Sequence, residues 1–141
     1  MASIRSSTYK SHLWLTLDYS YSQSIANNQS TISWSLVLHW DASLNFSASK
    51  SYSVKVNGTN YSGSYTGGAS GGSGAKTIRS GTTTVTHNDD GTKSVSASAS
   101  FTIDVTYSGT KISTMSLSGT ISLPTIPRAS SFGTVSGNTI G

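Results

Sequence analysis

The chain has 141 residues, nine Lys or Arg against five acids, a formal charge of +4 and no cysteine. That length suits one domain with an ordinary hydrophobic core, and the missing cysteine excludes both a disulfide framework and a thiolate metal site. The basic residues lie singly between Arg5 and Arg128 and leave no nucleic-acid footprint, no apolar run approaches the roughly 20 residues of a membrane-spanning helix, and "MASIRSSTYK" lacks the apolar centre of a signal peptide.

Serine and threonine make up roughly a third of the chain, far above an average composition. Glutamate is absent, so the best solvent-facing helix formers are scarce. Strand formers supply the apolar content instead.

Strict alternation runs through the chain. In "HLWLTLDY", Leu13, Leu15, Leu17 and Tyr19 share one face, and Trp14, Thr16 and Asp18 the other. In "ISWSLVLHW", Ile32, Trp34, Leu36, Leu38 and Trp40 oppose Ser33, Ser35, Val37 and His39, which reads His39 as a solvated histidine. "YSVKV" places Tyr52, Val54 and Val56 together, and Asn57-Gly58 after it is a hairpin turn signal. Tyr61 to Gly74, "YSGSYTGGASGGSG", reads as a mobile Gly/Ser-rich loop. "VSASASFTIDV" alternates as one strand with Val95, Ala97, Ala99, Phe101, Ile103 and Val105 inward, and "MSLSGTISL" adds Met115, Leu117, Ile121 and Leu123. Pro124 and Pro127 cannot continue a central strand and mark an extended exit.

One apolar and one hydroxyl face per strand predicts an all-β, antiparallel β-sandwich, immunoglobulin-like or jelly-roll-like. Its domain is expected over 1–128, with 129–141 an extended tail or the start of a following domain. The predicted core is Leu15, Leu17, Ile32, Trp34, Leu36, Leu38, Val54, Val56, Ala97, Phe101, Ile103, Leu117 and Ile121.

"VTHNDDGTKSV", Val85 to Val95, concentrates His87, Asn88, Asp89 and Asp90 before Gly91. Calcium loops alternate their carboxylates and close with Glu; here the aspartates are adjacent, so the stretch is expected to be a β-hairpin with Asn88 to Gly91 as its turn and no metal. "GASGG" (Gly68 to Gly72) matches a nucleophile elbow but has no helix after it. "SGGSGAKT" (Ser70 to Thr77) misses two glycines of a phosphate loop. Neither supports catalysis, and no enzyme activity or cofactor is expected. The ligand-binding candidates are Trp14 and His12, on the polar side of their strand, and Tyr61 and Tyr65 in the Gly/Ser loop, because Tyr, Ser and Gly together suit adaptable recognition. The alternative for Trp14 is cover by a loop or a neighbouring subunit.

The succession "YSQSIANNQSTISWSLVL", "YSVKVNG", "THNDDGTKSVSASASFTID" and "MSLSGTISLPTIPRAS" resembles a family of tail or baseplate proteins of long-tailed phages of Gram-positive bacteria, a minor-structural-protein type catalogued as a domain of unknown function in Streptococcus phages. The resemblance covers roughly residues 8 to 131 and is most specific at the H-N-x-D-G turn, His87 to Gly91, and at "LPTIPRAS". It implies a virion component made in the bacterial cytoplasm without a signal peptide, either a structural and host-attachment module or a dedicated carbohydrate-binding domain for cell-surface glycan. The implied partners are other tail proteins and host cell-wall polysaccharide, with no nucleic acid and no membrane, and a homo-trimer by analogy with tail-tip symmetry.

Overall fold

A computed structural model describes residues 2–9, 12–46, 49–66, 69–107 and 109–128. The expected tail, 129–141, lies outside the described residues. In chain order the strands are β1 (Ala2–Arg5), β2 (Leu13–Ser24), β3 (Gln29–Trp40), β4 (Leu44–Phe46), β5 (Lys50–Val56), β6 (Thr59–Tyr65), β7 (Ala69–Gly71), β8 (Gly74–Thr86), β9 (Lys93–Phe101), β10 (Val105–Tyr107), β11 (Thr110–Ile112) and β12 (Met115–Leu123). Among the described residues no helix is long and apolar enough to cross a membrane.

The strands build an antiparallel β-sandwich of two four-stranded sheets, ordered β1-β2-β3-β8 and β12-β9-β5-β6. Small pairs, β4-β7 and β10-β11, form within the connections. Register follows the sequence alternation. Leu13 faces Trp40, Leu15 faces Leu38 and Leu17 faces Leu36, so the apolar set of each strand falls on one side. All residues of the predicted core are buried, together with Leu13, Trp40, Val95, Met115 and Ile126. Burying one large apolar side chain stabilises the fold by about 1.5–3 kcal/mol, so the two inner faces dominate its stability. The expected Asn57-Gly58 turn joins β5 to β6, with φ of 51° and 82°, both positive as a type I′ turn requires.

Three expectations are corrected. Gly67 and Gly68 of the Gly/Ser-rich stretch lie outside the described residues, and the rest is mostly strand: it contributes the end of β6, all of β7 and the start of β8. Gly63 pairs with Tyr52, and Gly74 with Trp40. A Cβ at Gly63 would lie 2.6 Å from the Tyr52 hydroxyl, and one at Gly74 2.9 Å from the Trp40 ring. These glycines let aromatic rings lie across the neighbouring backbone, a cross-strand use of glycine that composition alone reads as loop.

Val85 to Val95 is not a hairpin. β8 belongs to the first sheet and β9 to the second, so the chain reverses while crossing between sheets. Alternation on both sides of a turn shows that two strands meet there, not that they pair. Finally, β9 stops at Phe101. Asp104 adopts φ 45°, which breaks the predicted continuous strand before β10, although Ile103 stays buried and Val105 packs against the core.

The sides of the sandwich differ. Where β1 meets β12, Ile4 packs on Gly119, and the Ser116 amide donates to the Tyr9 hydroxyl at 3.3 Å. Where β8 meets β6, side chains bridge the sheets: the Tyr61 hydroxyl lies 3.0 Å from Thr83 Oγ1, and Arg79 donates to the Tyr52 hydroxyl at 2.6 Å. A bulge in β8 leaves Ile78 without a cross-strand partner, between the pairs Leu36–Arg79 and Val37–Thr77.

Candidate functional site

The outer face of the first sheet carries the aromatic candidate. Period two places His12, Trp14, Thr16 and Asp18 on it, and register sets Trp14 opposite His39 and Asp18 opposite Ser35. The Trp14 and His39 rings stack, with centroids 5.3 Å apart and planes 2° from parallel. From β1, on the other side of β2, the Arg5 guanidinium lies 4.4 Å from the centre of the Trp14 ring. Arg5 and His39 therefore approach the indole from the strands flanking it.

His39 is only partly solvated. It is half-buried, and its Nε2 lies 2.8 Å from Thr16 Oγ1. Burial lowers its pKa from the ordinary value; the Asp18 carboxylate opposes that shift, and the Arg5 guanidinium adds to it. His12 pairs through Nδ1 with Asp41 Oδ1 at 2.6 Å, both side chains exposed. The sequence pattern singled out His12 and Trp14 but missed Arg5, His39 and Asp41. The i, i+2 spacing of His39 and Asp41 shows that they share a face; only register shows which residues they meet.

Tyr61 and Tyr65 belong elsewhere. Tyr61 packs its ring 5.0 Å from that of Trp34, and Tyr65 meets Phe101 edge-on at 6.2 Å. Both lie on β6 of the second sheet, packed against the core, and the fold does not bring them to Trp14.

The His87–Gly91 stretch forms a corner in which His87 and Gly91 are buried and Asn88, Asp89 and Asp90 are exposed. The Gly91 amide donates to the Asn88 carbonyl at 2.8 Å, and the Asn88 amide to the Thr92 carbonyl at 2.9 Å. Asp90 accepts from the Thr92 hydroxyl at 2.6 Å and from its amide at 3.1 Å, which holds the Asp90 carboxyl below the usual range. His87, 4% exposed, places Nδ1 2.6 Å from the Gly91 carbonyl and Nε2 2.6 Å from Ser30 Oγ. A carbonyl only accepts, so Nδ1 carries the proton; in the neutral ring Nε2 then accepts from Ser30. Asn28 Nδ2 donates to the carbonyls of His87 and Asn88, and the Ile126 amide donates to Gly91. The sequence-predicted turn residues thus tie the β2–β3 turn, the sheet crossing and the exit segment together. Among the described residues no three His, Asp, Glu or Cys side chains converge as metal ligands would.

Two hydroxyl–imidazole pairs, Ser30–His87 and Thr16–His39, have the contact of a nucleophile and its base. Ser30 is 0% and Thr16 7% exposed, so neither hydroxyl is open to a substrate.

The outer face of the second sheet is different again. Register sets Ser116 opposite Ser100, Ser118 opposite Ser98, Thr120 opposite Ser96 and Ser122 opposite Ser94. On β5, Ser53 continues the first row and Lys55 the second. Two adjoining hollows of about 460 and 530 Å³ lie on this face and share Lys55, Ser98 and Ser118.

Comparison with curated proteins and with solved structures returned no match. A family described as "Siphovirus protein of unknown function (DUF859)" matches residues 1–141. The turn at His87 to Gly91 and the exit through Ile126, which carried the resemblance in the sequence, are the two segments that the corner joins, and the chain belongs to this siphovirus protein family.

Proposed function

We propose that this chain is a non-enzymatic structural and host-attachment module of a phage tail or baseplate. Membership in a siphovirus family along its whole length carries the reading. The buried Ser30–His87 pair supports the non-enzymatic part, since its hydroxyl serves the fold. In this reading the host is Gram-positive, the module is made in the cytoplasm and incorporated into the virion, its partners are other tail proteins, and it assembles as a homo-trimer. The test is to locate the protein by immunogold labelling of purified virions and to compete phage adsorption with the free protein. Labelling at the tail tip with reduced adsorption is expected; a protein absent from virions overturns the proposal.

A dedicated carbohydrate-binding domain is the second reading. The hydroxyl-covered face of β9 and β12 favours it, because the hydroxyls there are left for solvent or a ligand. Saturable binding to purified cell-wall polysaccharide is its test.

A further inference from the structure

The outward hydroxyls of β9 and β12 make no side-chain hydrogen bond among the described residues, a condition shared on the first sheet by Ser33 and Thr82. Two other cross-strand hydroxyl pairs of the first sheet do bond: Ser35 with Ser80 at 2.9 Å and Thr31 with Thr84 at 3.2 Å. Ser94, Ser96, Ser98 and Ser100, and the four residues opposite them, make no side-chain hydrogen bond to another described residue. Each hydroxyl can donate once and accept twice. They recur about 4.8 Å apart across the strands and about 7 Å apart along them. The result is a regular lattice of unspent donors and acceptors, set in a trough long enough to take an extended chain.

Charge narrows what that chain is. Lys55 lines both hollows, and Arg5 lines the first. No carboxylate lines either. Lys55 forms no ion pair among the described residues. The lining also lacks any aromatic ring, so it offers no platform for stacked bases and argues against single-stranded nucleic acid. β9 is hydrogen-bonded on both sides, to β12 and β5, so a peptide cannot add as a strand to β9. What remains is a partner rich in hydroxyls and negatively charged.

We infer that the trough along β9 and β12, with Lys55 at its centre, binds an acidic polysaccharide lying along the strands. The inference rests on the attachment reading and names the ligand class it would use. Serine hydroxyls exchange hydrogen bonds with the sugar hydroxyls, and Lys55 meets its carboxylates.

The test is calorimetric titration of the full chain with polygalacturonate, with neutral dextran as the control polymer. Saturable binding to polygalacturonate that weakens with added salt is expected, with none to dextran. Lys55→Glu and the double variant Ser98→Val/Ser118→Val should each weaken it tenfold or more. Ser33→Val, on the exposed side of the other sheet, should leave it unchanged, and all variants should keep the parent melting temperature. No binding, equal binding to dextran, or binding unaffected by the trough variants overturns the inference. So does self-association that the double variant disperses in the absence of polysaccharide binding. The titration uses isolated protein and the attachment assay uses virions, so the two readings fail separately.

Discussion

The corner around His87 and the open face of β9 and β12 are both built from small polar residues, yet they treat those residues in opposite ways. In the corner, Asn28, Ser30 and His87 direct their side-chain polar groups into the fold and link three segments distant in sequence. On the face, the serines are held by backbone ladders and contribute no internal side-chain bond. Polar groups used by the fold should cost stability when removed. Unspent groups should cost none and should matter for binding only.

Gly91 is the harshest test of that division. Its φ is 87°, and a Cβ there would lie 2.0 Å from the Ile126 carbonyl oxygen. Gly91→Val combines backbone strain with a clash against backbone that cannot move without releasing the exit segment. A loss of about 3 kcal/mol or more is expected from urea unfolding. A smaller loss than that of His87→Ala would show that the exit segment yields freely.

His87→Ala comes next. It leaves the buried Ser30 hydroxyl without an acceptor for its proton, since Gln23 Nε2 only donates to it, and removes one of the two donors to the Gly91 carbonyl. A destabilisation of about 2–3 kcal/mol is expected, again read from the urea midpoint. Asn88, more exposed, contributes less through its own side chain, whose Nδ2 reaches only Thr92 Oγ1 at 3.1 Å.

The Trp14 stack lies between the extremes, and pH probes it. Folding lowers the His39 pKa from 6.5, so the fold favours the neutral ring. The unfolded chain then binds more protons just below pH 6.5, and stability falls as pH drops from that value through the lowered one. Unfolding midpoints measured from about pH 8 to pH 5 should decline, and His39→Gln should flatten that part of the curve. The Asp90 and Asp104 carboxyls, both held low, act only at more acidic pH. An unchanged slope in His39→Gln would break the assignment.

The smallest effect should come from the open face. Ser98→Ala/Ser118→Ala is expected to shift stability within about 0.5 kcal/mol, as for other surface changes. A larger loss would mean that these hydroxyls serve the fold as the corner's do.

Much of the fold was legible in the sequence because a sheet's side-chain period is two. Alternation alone placed Leu15, Trp34, Val54 and Phe101 in the core and Trp14 outside it. Turn chemistry placed Asn57-Gly58 and the Asn88–Gly91 reversal, since both need residues that accept positive φ or bond turn amides. The site was less legible. The serines of β9 and β12 could be seen to share a face, but nothing local told that face from the first sheet's, where Ser35 has found Ser80.

Local rules about which residues alternate and where the chain reverses determined the strands, their buried faces and the two-sheet class. Tertiary structure decided which strands pair, because register and sheet membership depend on residues far apart in sequence. It put β8 and β9 in different sheets, turned the Gly/Ser stretch into strands beneath aromatic rings, buried His87, and stacked Arg5 and His39 on Trp14. It also left the hydroxyls of β9 and β12 without side-chain partners among the described residues, a property that belongs to neighbours across strands and not to any single stretch of chain.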